Sequence, residues 1–345
     1  MAVKITRQPK RIVLIGAPSS AGAHHAGVEK APAALRAAGL VEQLTAAGFE
    51  VSDAGDIPQQ IWQQDEESPR ARSIKPVLSA LNALKAQAEV AVKSGALPLI
   101  LGGDCSLALA APAAVRRYYA HVSLVYLDRH GDLNTPATTP SGCLEGMALA
   151  HVAGRGAAEL VRFWGEPPLV REPDIALFGV HESQLDPGER EFLARSPLRR
   201  YTAAEIQRRG AEASAHAALE RIHTGGRQFV VHFDVDVVSS EELPAVDFPS
   251  AGGLSSEEAR HVLGVFSRQP NLAALEVMSF NPERDADGAA ARLIVSLLVG
   301  AVAERLQTVS ESPAAESATE SPLAGTEASE APPPGDLPEP GAVES

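Results

Sequence analysis

Short β-rich runs alternate with helical stretches along most of this chain, and that alternation leaves few folds open. The runs fall at Ile12–Ile15, Phe49–Ser52, Leu99–Leu101, Val122–Leu127, Ile175–Gly179, Leu198–Tyr201, Phe229–Phe233 and Leu272–Val277, eight candidate strands. Helical patterns are expected between them at about Ala31–Ala38, Lys75–Lys93, Leu107–Tyr119, Ala203–His223, Ser255–Phe266 and Asp285–Leu306. One of them opens well: Ser255 is followed three residues later by Glu258, the pattern of a reciprocal N-terminal cap. Strands alternating with helices are βαβ units, which build a mostly parallel sheet covered on both faces. The expected class is therefore α/β, a three-layer α/β/α arrangement around a mostly parallel sheet of about eight strands.

Composition sets the limits of that domain. From Thr308 to Ser345 the chain turns to Pro, Ser, Ala, Glu and Gly, with seven prolines, eight acids and no Lys or Arg. Such a segment cannot offset its ordering entropy by burial, so residues 1–307 are read as the folded domain and 308–345 as a disordered acidic tail. The formal charge of −14 leaves about −6 on the body once the tail's eight acids are set aside. Nucleic acid is excluded as a partner, because phosphate binding needs a basic footprint. The longest apolar stretch, Leu293 to Ala303, is too short to cross a membrane. Two cysteines, Cys105 and Cys143, make no disulfide framework, and the N-terminus leads into a strand, so a reduced, cytoplasmic protein is expected.

In a parallel sheet with helices on both faces, chemistry gathers beyond the carboxyl ends of the strands. Three strands here end in polar runs: Leu99–Leu101 enters Gly102-Gly103-Asp104-Cys105-Ser106, Val122–Leu127 enters Asp128-Arg129-His130-Gly131-Asp132, and Phe229–Phe233 enters Asp234-Val235-Asp236. Side chains alternate along an extended segment, so Asp128, His130 and Asp132 can converge on one side, as can Asp234 and Asp236. Four carboxylates packed away from water would repel one another, and two divalent cations would neutralise them. The same alternation turns Arg129 away from these acids, where it needs an acidic partner or solvent. It also puts His232 on the face of Asp234, as a histidine behind the site. No Walker-type run and no G-x-G-x-x-G after a first strand supports a nucleotide site.

At these residues the chain resembles the arginase-like ureohydrolases, over about Arg11 to Leu306. Gly16-Ala17-Pro18 with Gly27-Val28-Glu29 and Pro32 looks like that family's opening loop and first helix, and Gly102-Gly103-Asp104-Cys105-Ser106 like its Gly-Gly-Asp-His-Ser. Asp128 to Pro136 looks like its Asp-Ala-His-x-Asp-x-Asn-Thr-Pro, Asp234-Val235-Asp236 like its Asp-x-Asp, and Asn281-Pro282 is a fainter echo. The resemblance implies a binuclear site with Asp128, His130, Asp132, Asp234 and Asp236 as ligands and Cys105 where the sixth ligand, a histidine, is expected. It implies two divalent ions, manganese first, with zinc, iron(II) or cobalt as alternatives because a thiolate is softer than imidazole. Asn134 and Ser141 match residues that hold a substrate α-carboxylate, and Asp186 one that meets the α-ammonium. Cys105 and the run through Ser141-Gly142 are similar to a branch that includes N-hydroxyarginine hydrolases.

Two departures bear on the chemistry that the resemblance implies. Glu145 stands where arginases keep a proton-shuttling histidine, and a carboxyl with a raised pKa can also act as an acid. Ser279 aligns with the glutamate that pairs the guanidinium, and a hydroxyl cannot make that two-pronged contact. Glu276 faces the other side of the strand and would serve only if a bulge re-aimed it. The functional expectation is a metal-dependent hydrolase that cleaves a C–N bond of a small guanidino, amidino or ureido compound. Asp132 or Asp234 would orient the nucleophile and Glu145 would protonate the departing amine. The alternative is a catalytically impaired relative that serves as a binding or regulatory module. Symmetric homo-oligomers, common in the family, are a further expectation of the resemblance.

Overall fold

In the computed structural model, which describes residues 5–222 and 226–311, the eight expected strands are all present. They are β1 (Arg11–Gly16), β2 (Glu50–Asp56), β3 (Leu97–Leu101), β4 (Val122–Leu127), β5 (Ile175–Val180), β6 (Arg199–Thr202), β7 (Gln228–Asp234) and β8 (Leu272–Met278). They form one sheet in the order β2-β1-β3-β8-β7-β4-β5-β6, and every pairing is parallel. Because both faces of the sheet are covered, β3, β4, β5 and β8 are buried along their whole length, and they are apolar but for Ser123 of β4 and Glu276 of β8. The edge strands β2 and β6 are largely solvated, as edges should be.

Register decides what stands at the carboxyl edge. Leu101 pairs with Val277, Val277 with Phe233, and Phe233 with Leu127, so β3, β8, β7 and β4 end level with one another. The residues that come next, Gly102, Met278, Asp234 and Asp128, therefore share one rim. One apolar cluster on each face packs the sheet against its helices. Leu124 and Tyr126 of β4, Val230 of β7, and Ala274 and Met278 of β8 all belong to the same cluster, so Asp128 and Asp234 rise from that face.

The helices differ from the expectation in physically legible ways. The expected helix Ala203–His223 is two helices, Ala203–Arg209 and Ala211–Arg221, parted at Gly210 (φ 93°); His223 lies outside the described residues. Leu107–Tyr119 begins as the 3₁₀ turn Cys105–Leu109 and continues as the helix Ala110–Arg116. The last helix, Ala289–Glu311, starts four residues late, because Asp285 accepts from the Ala290 and Ala291 N–H groups at its start. It also passes the expected domain boundary at 307, and the rest of the expected tail, 312–345, lies outside the described residues. Leu40–Ala46, Ala148–Val152, Ala158–Val161 and Pro187–Leu193 are helices too short to show a period in the sequence. Among the described residues no helix is long and apolar enough to cross a membrane.

Candidate metal centre

Each of the three polar runs turns sharply after its strand, and the turn aims the side chains. After β3 the backbone passes so close to its neighbours that a Cβ on Gly102 would lie 1.8 Å from Met278 Sδ, and one on Gly103 1.7 Å from Ser19 O. At Gly103, where the obstacle is the Ser19 backbone, only glycine fits. Asp104 then caps the following turn through the Ser106 N–H (2.9 Å) and also takes the Gly22 N–H (3.1 Å). This fixes Cys105 with its sulfur over the rim.

The acids of the other two runs converge by a different route from the one expected. The segment from Asp128 to Asp132 is not extended: Asp128 Oδ1 accepts the His130 N–H at 2.6 Å, and Asp132 sits in the left-handed region at φ 50°. Likewise β7 ends at Asp234, whose Oδ1 accepts the Asp236 N–H at 2.8 Å, and a 3₁₀ turn, Val235–Val237, follows. Carboxylate-capped turns, rather than period-two alternation, bring these side chains together.

Two groups that could hold a metal ion result. Cys105, Asp128 and Asp132 form one and Asp128, His130 and Asp236 the other, with ligand atoms in each within 4.8 Å of one another. Asp128 belongs to both. Asp234 lies beside the first, with Oδ2 2.9 Å from Cys105 Sγ and 2.5 Å from the Ser279 hydroxyl. Asp132 accepts the Tyr126 hydroxyl at 2.5 Å, and His130 Nδ1 is 3.0 Å from Asp236 and 3.4 Å from Asp128. Burial first, then the neighbouring acids, push the Asp128, Asp132 and Asp234 carboxyls and the Cys105 thiol well above their ordinary values. Two buried oxygens at the centre, Asp128 Oδ2 and Asp236 Oδ1, have no hydrogen-bond partner. A polar atom sealed in that way is costly unless something of opposite charge meets it, so this donor set fits divalent cations.

A family model described as the arginase family matches residues 10–303. The chain belongs to the arginase family. An arginase of Brevibacillus brevis is 31% identical over 297 residues, covering 86% of this chain and 99% of that protein. The solved arginase of Bacillus cereus superposes with a TM-score of 0.78 at 29% identity, covering 85% of this chain and 98% of that one. A formiminoglutamase of Trypanosoma cruzi with two Mn²⁺ shares the fold, with a TM-score of 0.67 at 21% identity over 85% of this chain and 92% of its own. Arginase-family proteins are metal-dependent hydrolases of linear amidines, and this chain is an arginase-family hydrolase.

The expected substrate residues meet in one place. Asn134, Ser141 and Asp186 line a cavity of about 240 Å³ together with the expected acid Glu145 and with Cys105, His130, Asp132, Asp234 and Asp236. Asn134 Nδ2 donates to Asp186 Oδ2 at 2.8 Å, while its Oδ1 accepts the Thr138 hydroxyl at 2.9 Å. Glu189 holds this corner by accepting the Leu133 and Asp186 N–H groups, both at 2.9 Å. Ser279, at φ 67°, also lines the cavity, with its hydroxyl spent on Asp234. Glu276 stays inside β8, paired with His232 in regular register from Ala274 to Met278, and the irregularity in the β7–β8 pairing lies earlier, between Phe229 and Val230. At the cavity mouth Glu145 pairs with His24, a residue the sequence did not single out.

Arg129 does not lie clear of the acids, since its charge acts on the Asp236 carboxyl, but its hydrogen-bond partners are carbonyl and amide oxygens rather than carboxylates. It is 1% exposed and donates to the carbonyl oxygens of Ser250 (2.8 Å), Ala251 (3.3 Å) and Asp236 (3.4 Å) and to Gln184 Oε1 (3.1 Å). The guanidinium thus ties the loop carrying Phe248 to the rim. Behind the centre lies a buried polar row across three strands, for Tyr126, His232 and Glu276 are direct register partners. The His232 ring stacks on Tyr126 (4.2 Å, 3°), with Nδ1 3.0 Å from Glu276 Oε2 and Nε2 3.3 Å from Cys105 Sγ. Burial pushes His232 down to about 3, so the ring is neutral. His232 was legible because it lies two residues before Asp234; the same rule, applied to Asp128, would have found Tyr126.

Proposed function

We propose that this hydrolase cleaves a C–N bond of a guanidino, amidino or ureido amino acid, N-hydroxyarginine being the foremost candidate, at two divalent ions held by Cys105, Asp128, His130, Asp132, Asp234 and Asp236. The observation that carries the reading is Asp128, shared by both ligand groups with one buried oxygen left unpaired. When bound, such ions supply the nucleophile by lowering the pKa of water towards neutrality. Manganese is the first choice, since the related formiminoglutamase holds it, and Cys105 widens the range to zinc, iron(II) and cobalt.

The chain's own residues do the rest. Tyr126 holds Asp132 and Ser279 holds Asp234, so both carboxylates are fixed to orient the attacking water. Asn134 and Ser141 receive the substrate's carboxylate and Asp186 its ammonium. Glu145 and its partner His24 stand where a proton must reach the departing nitrogen. Ser279 offers no carboxylate to a guanidinium, which favours a head group less dependent on an anionic anchor than that of arginine. The substitutions at Cys105, Glu145 and Ser279 also motivate the second reading, a catalytically impaired binding module.

Metal analysis separates the two readings. Protein reconstituted in turn with Mn²⁺, Zn²⁺, Fe²⁺ or Co²⁺ and desalted is expected to retain close to two ions per chain with at least one metal. It should then release ornithine from N-hydroxy-L-arginine faster than from L-arginine. Retention near zero with all four metals overturns the hydrolase reading.

A further inference from the structure

The cavity has an acidic metal-binding floor, and opposite it stands a pair built from two distant parts of the chain. Glu145 Oε1 accepts both the His24 backbone N–H (3.1 Å) and the His24 ring at Nδ1 (2.5 Å), and the Glu145 N–H donates to Gly22 O (3.1 Å). Two contacts thus lock His24 to Glu145, 121 residues apart in sequence, and a third ties Glu145 to the same opening loop. The His24 ring packs edge-on against Phe248 (4.9 Å, 80°), and Phe248 in turn lies edge-on to His130 (6.3 Å, 80°). His24 and Glu145 both line the cavity that the metal ligands line.

We propose that His24 is the proton donor to the departing nitrogen and that Glu145 positions it. The proposal deepens the hydrolase reading above and rests on it. As water attacks the amidine carbon, the C–N bond breaks and its electron pair goes to the nitrogen. That nitrogen takes the proton of the His24 imidazolium; of the two protons lost by the attacking water, one returns to the ring and the other leaves on the product amine, so the oxygen ends as a carbonyl and the cycle closes. A glutamate at position 145 alone would leave the cavity mouth without a cationic acid; a histidine from the opening loop restores one. The groups facing His24 are the Glu145 carboxylate, the Cys143 thiol, the His25 ring at 6.4 Å and, beyond Glu145, the Asp104 carboxyl. Burial pulls the His24 imidazole down, but its bonds to Cys143 and Glu145 outweigh burial and hold it up at about 10. The ring is therefore charged through the neutral range.

The test uses the full chain loaded with Mn²⁺, with N-hydroxy-L-arginine and L-arginine as probes. His24→Ala is expected to keep two ions per chain and a KM within about threefold while kcat falls about 100-fold, the scale of one acid–base contribution. Added imidazole should restore part of the loss, and His25→Ala should behave as wild type. A kcat for His24→Ala within about threefold of wild type, or a loss that imidazole does not rescue while both ions stay bound, overturns the proposal. A wild-type chain inert toward both probes overturns the hydrolase reading instead. The ring nitrogens of His24, read by NMR on Zn²⁺-loaded protein, then decide the matter separately: an imidazolium at pH 8 that Glu145→Gln converts to neutral imidazole upholds the pair, and a neutral ring in the wild type overturns it.

Discussion

Replacing His232 by alanine attacks the buried row behind the candidate metal centre, and its cost can be worked from the contacts. The ring is 0% exposed, so no water replaces what it loses. Glu276 Oε2, 3.0 Å from His232 Nδ1, would be left without that partner in a sealed interior, costing about 1–3 kcal/mol. The coplanar stack on Tyr126 at 4.2 Å adds about 0.5–1.5 kcal/mol. A total of about 1.5–4.5 kcal/mol is a sizeable part of the ~5–15 kcal/mol that holds a domain folded, and it should lower the melting midpoint by about 3–18 °C. The assay is urea and thermal unfolding of the metal-stripped protein followed by circular dichroism, so that lost ligand binding does not enter. His232→Gln, which keeps polar atoms near both ends of the row, should lose about half as much. In loaded protein, loss of the Nε2 contact to Cys105 should weaken metal affinity about 10–100-fold. A stability loss below about 0.5 kcal/mol in the stripped alanine variant would refute the idea that the row braces the rim.

The ligand groups make a graded prediction: Cys105→Ala should cost one ion per chain, His130→Ala the other, and Asp128→Asn both ions and all activity, read by elemental analysis after desalting. Full activity in Asp128→Asn would sink the binuclear assignment. Arg129→Met should destabilise by about 3 kcal/mol and raise KM, because it strips the carbonyls of Ser250 and Ala251 of a buried charged donor and frees the Phe248 loop; denaturant midpoints and initial rates check it. The raised pKa of His24, about 10 against an ordinary 6.5, means that its pairing stabilises the folded state in full below about pH 6.5 and loses that contribution as pH climbs through 10. Wild type should therefore exceed Glu145→Gln by about 1 kcal/mol near pH 6, a figure discounted for a pair that is part-exposed, and the gap should close above pH 10.

Much of this molecule was legible before any coordinates, because burial on both faces of a parallel sheet writes itself into the sequence. The runs of β4 and β8 could be nothing but covered strands, and the polar residues that follow β3, β4 and β7 had to stand at one rim. That reasoning reached Asp128, His130, Asp132, Asp234 and Asp236 as candidate ligands, since strand ends and ligand chemistry are both local properties, and the family resemblance added Cys105. How those side chains meet was not local. Asp132 at φ 50° and the capped turn at Asp234 replace the simple alternation that the sequence suggests. Arg129 found its partners in carbonyls more than a hundred residues away, and the Glu276–His232–Cys105 contacts depend on the register of β8 against β7. His24 carried no signal at all: its meaning comes from Glu145, 121 residues on, and only the folded chain sets the two side by side. The sequence by itself determined the strands, their class of sheet and the chemical kind of the site; tertiary structure decided register, turn geometry and pairing across distant segments, because those depend on contacts whose free energy exists only once the chain is closed on itself.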